Sequence, residues 1–303
     1  MFVRCRMGLW LAVALVLPLE GPGLAADVGG FAGFAGHVLS YEPGRDPSPG
    51  FTDAAAAIGS PEPFTAAEVF PGAVSPFNPP FLASQIVSIG EGGQITLGLS
   101  HFALPLADGP EIGVLANVGL IDVDGDFSNA MATATETLAA DSGTFGIDSA
   151  AVQVSQDGQT WFDLGAHVFD IPANGYTDLT DPFSAQPGTA RTDFGKPFTG
   201  QLADFAGLGY SNDSAADMLD VLDGSGGGKW LDISNTGLER IGFIRFSVAD
   251  DLNEQTSLNF DLDAVSIANG AVGNPVPEPA SILVIGVTAA LMWRPRSRGN
   301  RLR

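Results

Sequence analysis

The sequence predicts an all-β fold, an antiparallel β-sandwich, and three observations carry the prediction. Gly, Pro, Asp, Ser and Thr interrupt the chain throughout, with 39 glycines and 21 prolines in 303 residues. Apolar runs are therefore short, and the 3.6-residue periodicity of long helices is scarce. In the run 258–267, Leu258, Phe260, Leu262 and Ala264 alternate with Asn259, Asp261 and Asp263. That period of two puts the apolar set on a core face and the polar set on the other. Finally, runs 152–155 and 160–164 flank Gln156-Asp157-Gly158-Gln159, and Asp-Gly between two apolar runs is the strongest short-range hairpin signal.

Taken in order, residues 1–26 read as a secretory signal peptide. Arg4 and Arg6 precede an apolar run over 8–19, and Gly23 and Ala25 supply small residues at −3 and −1. Residues 27–81 are expected to be an irregular N-terminal arm packed on the sandwich. Nine prolines fall between Pro43 and Pro80, which blocks helix and central strand over most of that stretch. Ala54-Ala55-Ala56-Ala57 suits one helical turn. The sandwich is expected over 82–267. Runs 86–89 and 94–99 flank Gly90-Glu91-Gly92-Gly93 and read as a hairpin. Runs 113–123, 243–248 and 258–267 read as further strands, while 128–141 and 215–222 suit short helices or long loops. Residues 268–275, small and glycine-containing, read as a linker.

Charge excludes one large class of function. Seven of the 13 Lys and Arg lie in the signal peptide and the tail. Between Asp27 and Pro277 six cations face 33 acids, a net charge of −27. A domain this acidic is repelled by nucleic acid and by anionic lipid. The single cysteine, Cys5, leaves with the signal peptide, so disulfides, thiolate metal sites and thiol nucleophiles are not expected in the mature chain.

Candidate chemistry is sparse. Asp122, Asp124 and Asp126, in Asp-Val-Asp-Gly-Asp, offer three carboxylates to Ca²⁺. The glycine stands fourth rather than sixth and Thr133 twelfth, so this is not an EF-hand. A solvated acidic loop accounts for the same residues. Asp261 and Asp263, two apart on one strand face and about 7 Å between Cα atoms, could share a Ca²⁺ with an oxygen from another strand. Gly224-Ser225-Gly226-Gly227-Gly228-Lys229 lacks the flanking Gly and Ser/Thr of a phosphate loop, with Asp223 and Trp230 in their places, and reads as a flexible loop. Gly209-Tyr210-Ser211-Asn212-Asp213 lacks the final glycine of a nucleophile elbow. His37, His101 and His167 are far apart in sequence and form no metal-ligand pair. Trp230 and Tyr210 are candidates for stacking on sugar rings, and Trp161 reads as a core residue of its hairpin.

The last 28 residues have three parts. Val276-Pro277-Glu278-Pro279 is held extended by its prolines. An apolar run over 280–293 follows, about 21 Å long as a helix against the ~30 Å of a bilayer core. Arg294, Arg296, Arg298, Arg301 and Arg303 then form a basic cluster that would stop transfer and remain cytoplasmic. This order resembles the PEP-CTERM sorting signal of exported bacterial proteins. The resemblance implies recognition at 276–279 by an exosortase, a membrane-embedded cysteine transpeptidase, after passage through the secretion translocon and signal peptidase. It implies a transmembrane helix over 280–293, and a final location at the cell surface or in the extracellular matrix.

The middle region, 51–267, also looks familiar. Val87-Ser88-Ile89-Gly90 with Gly92-Gly93-Gln94-Ile95-Thr96-Leu97, Asp108-Gly109-Pro110, the 152–162 hairpin and Phe260-Asp261-Leu262-Asp263-Ala264-Val265 are similar to surface domains that precede PEP-CTERM tails. Those domains carry Phe-Glu-Asn where this chain has Leu115-Ala116-Asn117. They look like jelly-roll sandwiches of the discoidin or carbohydrate-binding type. The combined expectation is a non-enzymatic surface protein with exopolysaccharide or Ca²⁺ as ligand. A secreted polysaccharide hydrolase and a permanently anchored surface domain are the alternatives.

Overall fold

The computed structural model of the protein describes residues 33–65, 72–122, 144–146, 148–210, 217–250 and 259–277. Within them the strands are β1 (Gly33–Glu42), β2 (Val87–Gly90), β3 (Gln94–Ala103), β4 (Ile112–Ala116), β5 (Gly119–Leu120), β6 (Thr144–Phe145), β7 (Asp148–Ser155), β8 (Phe162–Phe169), β9 (Lys229–Leu231), β10 (Ile241–Ser247), β11 (Asn259–Ile267) and β12 (Val272–Pro275). One short helix, α1 (Met218–Leu222), precedes β9. The pairing of these strands is antiparallel, and the fold is all-β as the sequence predicts.

A ten-stranded sheet runs in the order β8-β7-β10-β3-β1-β11-β4-β9, with β12 added beside β3 and β2 beside β11, while β5 and β6 pair separately with each other. It turns back on itself at β1. Gly33 and Phe34 pair with β11, whereas Ala35 to Glu42 pair with β3. One half is thus β8-β7-β10-β3, the other β11-β4-β9, and β1 belongs to both. Phe169 and Phe246 from the first half meet Phe260 from the second, with ring centroids 4.6–6.0 Å apart. These rings sit in the core between the halves. The Asp157-Gly158 hairpin forms as expected, joining β7 to β8 with Val154 opposite Phe162. Gly158 takes φ 72°, and the Asp157 carboxylate accepts the N–H groups of Gln159 and Thr160 at 2.8 Å. Ala54–Ala57 forms one 3₁₀ turn, capped by Asp53, which accepts the Ala55 N–H at 3.0 Å.

Four expectations are corrected. The stretch 27–81 is not wholly an arm, because β1 sits at the centre of the sheet. Its prolines begin only at Pro43, one residue after the strand ends. Strands β2 and β3 do not form a hairpin: β2 pairs with β11 and β3 with β1 and β10. The glycines between them permit close backbone approach instead. A Cβ on Gly90 would lie 2.1 Å from the Arg45 carbonyl oxygen, and one on Gly93 2.8 Å from that of Pro43. Residues 268–275, expected to be a linker, close the fold. A 3₁₀ turn over Asn269–Ala271 leads into β12, and the Val276 N–H donates to the Ser100 carbonyl at 3.0 Å.

The fourth correction concerns β11. Its alternation holds through Leu262 and then fails, because a register shift between Leu262 and Ala264 changes which residues face the core. From Leu262 onward every residue of the strand is buried. The outer face of this half is covered by the segments 61–65, 72–80 and 171–195, whose Val74, Ala173 and Phe194 pack with Leu115 and Ala264. A strand covered on both faces has no solvent side for alternation to report. The region 128–141 lies outside the described residues, as do the apolar run 280–293 and the basic tail. Among the described residues no helix is long and apolar enough to cross a membrane.

Candidate functional site

The expected Asp261–Asp263 pair does not exist as a pair. Asp263 is 3% exposed, and its carboxyl is held well above the ordinary carboxylate range, first by burial and then by the Glu62 charge. A carboxyl that favours its neutral form at such a depth is a poor cation ligand. Asp261 lies partly exposed where the two halves meet and has different neighbours. Its backbone N–H donates to Asp148 Oδ2 at 3.0 Å, from the first residue of β7. Its carboxylate accepts from Ser48 Oγ at 3.3 Å and from Asn259 Nδ2 at 3.2 Å. The Asn259 amide also donates to Ser48 Oγ at 2.8 Å. Above them the Tyr41 hydroxyl donates to the Ser88 carbonyl at 2.6 Å, its acidity weakened by burial and by the Asp261 charge.

Burial pushes the Asp148 carboxyl up to about 7, with the Asp261 charge acting in the same direction and the Asp261 N–H opposing it. One carboxyl protonated near neutrality beside another is an arrangement that acid–base chemistry uses. Here, however, the raised carboxyl is tied to a backbone N–H in the seam between the sheet halves. Asp148 carries no motif in the sequence, and only the β11–β7 approach brings it to Asp261. Asp122 is described and partly exposed; Asp124 and Asp126 lie outside the described residues, so the triple-carboxylate reading has no geometry here. No group of three or more His, Asp or Glu suited to a metal ion occurs among the described residues.

Both aromatic candidates for sugar stacking are buried. Trp230 is 9% exposed and Tyr210 3%. The Trp230 indole packs over Gly113, where a Cβ would come within 2.8 Å of the ring, and donates to the Gly227 carbonyl at 3.0 Å. The Tyr210 hydroxyl donates to Asn174 Oδ1 at 2.7 Å, and burial pushes its pKa up. Neither ring face is open to a ligand. Trp161, expected in the core of its hairpin, is partly buried and packs against the core, with the Arg245 guanidinium 3.8 Å from its ring centroid. The glycine run 224–228 is not a flexible loop either, since Ser225 to Gly228 are buried. Gly227 and Gly228 adopt φ 78° and 76° against the carbonyls of Pro172 and Val114.

The three histidines fall on β1, β3 and β8. His37 meets Phe243 edge-on at 6.4 Å, His101 Nδ1 lies 3.1 Å from Ser100 Oγ, and His167 Nε2 lies 3.0 Å from the Leu164 carbonyl. They share no site. Beside α1 an open cleft of about 640 Å³ is lined by Lys196, Phe198, Asp204, Leu208 and Asp223. Lys196 and Asp223 are ion-paired across it at 2.7 Å. Of the expected sorting motif, Val276 is 8% exposed and packs on the core, and Pro277 is exposed. Glu278 and Pro279 lie outside the described residues. Comparison with protein-family models finds no match, and comparison with curated proteins finds none either.

Proposed function

We propose that this is an exported bacterial cell-surface or extracellular-matrix protein, sorted and processed by an exosortase at Val276-Pro277-Glu278-Pro279. Its jelly-roll-like β-sandwich, of the discoidin or carbohydrate-binding type, is non-enzymatic and presents itself to glycans outside the cell. The observation that carries the reading is the ordered succession of extended Pro-Glu-Pro, apolar run and arginine cluster over 276–303. The end of β12 adds support. Strand β12 ends at Pro275 and Val276 is docked on the core, so a cut within or beyond the motif would leave every described strand in place. The net charge of −27 between Asp27 and Pro277 suits a domain that remains solvated once it is released from the membrane.

The test is the intact mass of the protein recovered from the cell surface, compared with a Glu278→Ala, Pro279→Ala variant. Loss of the arginine-bearing tail in the native form alone is the expected result. Retention of Arg294 to Arg303 in both forms would leave a plain membrane-anchored domain and end the sorting proposal.

A further inference from the structure

Strand register lines up one row of polar side chains across five strands of the first sheet half. Asp163 on β8 pairs with Gln153 on β7, Gln153 with Arg245 on β10, Arg245 with Thr96 on β3, and Thr96 with Ser40 on β1. Directly paired residues share a face, and four inter-strand steps of about 4.8 Å give a row about 19 Å long. Ile244 and Phe246, on either side of Arg245, are fully buried, so the row lies on the face turned away from the core.

Arg245 is held flat on this face. Its guanidinium stacks on Trp161, its Nε donates to Thr96 Oγ1 at 3.2 Å, and its Nη1 donates to Gln153 Oε1 at 3.4 Å. It makes no ion pair among the described residues. Thr96 lies buried beneath it, while Ser40 and Asp163 at the two ends are exposed. A second row begins two residues on, where the Ser247 hydroxyl donates to Gln94 Oε1 at 3.3 Å and both remain partly exposed.

A guanidinium, an amide, a carboxylate and hydroxyls fixed in a line on a rigid sheet make an array of hydrogen-bond donors and acceptors with little entropy left to lose. The ligand such an array fits is polyhydroxylated and extended. Charge selects further, because a surrounding domain of net charge −27 repels a polyanion. The row also ends in a carboxylate at Asp163, and Glu42 stands exposed opposite Gln94.

We propose that this outer face, centred on Arg245 and Gln153 beside Trp161, is a binding surface for a neutral polysaccharide chain lying across the strands. The proposal rests on the reading of the sandwich as a glycan-facing module and gives that module a location distinct from Trp230 and Tyr210.

Affinity electrophoresis of the full chain through gels containing a soluble glucan, a xylan or a galactomannan tests it, with polygalacturonate as the anionic arm. The expected result is retardation by at least one neutral polymer, weakened at least tenfold in both Arg245→Lys and Gln153→Ala. Thermal unfolding of each variant confirms that it is folded, and the lysine variant retains the positive charge. Retardation that survives both substitutions would overturn this location while leaving the glycan reading in place. Absence of retardation by all four polymers would overturn both. Arg245-dependent retardation by polygalacturonate alone would replace the neutral ligand with an acidic one.

Discussion

The backbone N–H of Asp261 donates to the carboxylate of Asp148 at 3.0 Å, across the seam where β11 of one sheet half meets β7 of the other. Residues 113 positions apart in sequence thereby share one partly buried polar contact, and its proton balance should be visible in the stability of the whole domain. Burial first, and the Asp261 charge second, raise the Asp148 carboxyl from 3.8 to about 7. The folded state then binds this proton more tightly than the unfolded chain does. The contribution is fully present below about pH 4 and is lost as pH rises through about 7. A shift of about three units bounds the effect near 4 kcal/mol. In the Asp148→Asn variant the fall in unfolding free energy between about pH 4.5 and pH 8 should flatten by roughly 1–3 kcal/mol. Denaturant titrations at the two pH values measure it, and an unchanged slope would locate the titrating group elsewhere.

At neutral pH, Asp263→Asn should stabilise the protein by about 1 kcal/mol or leave it unchanged, since a neutral amide replaces a carboxyl whose ionisation is costly at that depth. The same substitution should not alter any response of the melting temperature to added Ca²⁺. A loss of Ca²⁺-dependent stabilisation in Asp263→Asn would restore Asp263 as a ligand.

Trp230→Ala should cost about 3–5 kcal/mol, as expected for emptying a packed aromatic site. Tyr210→Phe should cost about 1 kcal/mol through its lost hydrogen bond to Asn174. Both are stability effects, read by thermal or denaturant unfolding. A Tyr210→Phe protein of native stability but impaired polysaccharide retardation would contradict the buried placement.

Truncation after Pro277 should leave the melting temperature unchanged, whereas truncation after Ala271 removes β12 and the docked Val276. The second should lose about 2 kcal/mol, or about 4–8 °C for a domain of this size. Equal melting temperatures would return 268–275 to the status of a linker.

Gly90→Ala should destabilise by at least 2 kcal/mol, because the new Cβ would lie 2.1 Å from the Arg45 carbonyl oxygen, a backbone atom with little room to move. A variant of native stability would mean that segment 43–47 can retreat without loss.

Local chemistry made several features legible without coordinates. The Asp157-Gly158 hairpin was readable because its signal is local: a turn geometry, a positive φ and a side chain that caps its own turn. The β-type runs at 243–248 and 258–267 were readable from alternation and branched or aromatic content. The same period of two, with Ile244, Phe246 and Val248 as the apolar set, would have put Arg245 and Ser247 on the outer face. The burial of Trp230 was not readable, since it sits in a short apolar run beside a glycine-rich turn.

The β class, the acidity and the Asp157-Gly158 hairpin follow from composition and nearest neighbours alone. The departure of β2 from β3 to β11, the central place of β1 and the covering layer that turns Asp263 inward were set by long-range packing. It also decided that Asp148 meets Asp261 and that Arg245 lies over Trp161 in a row with Gln153. Each of these depends on which distant segments share a face, and that is set by how the sheet turns back on itself.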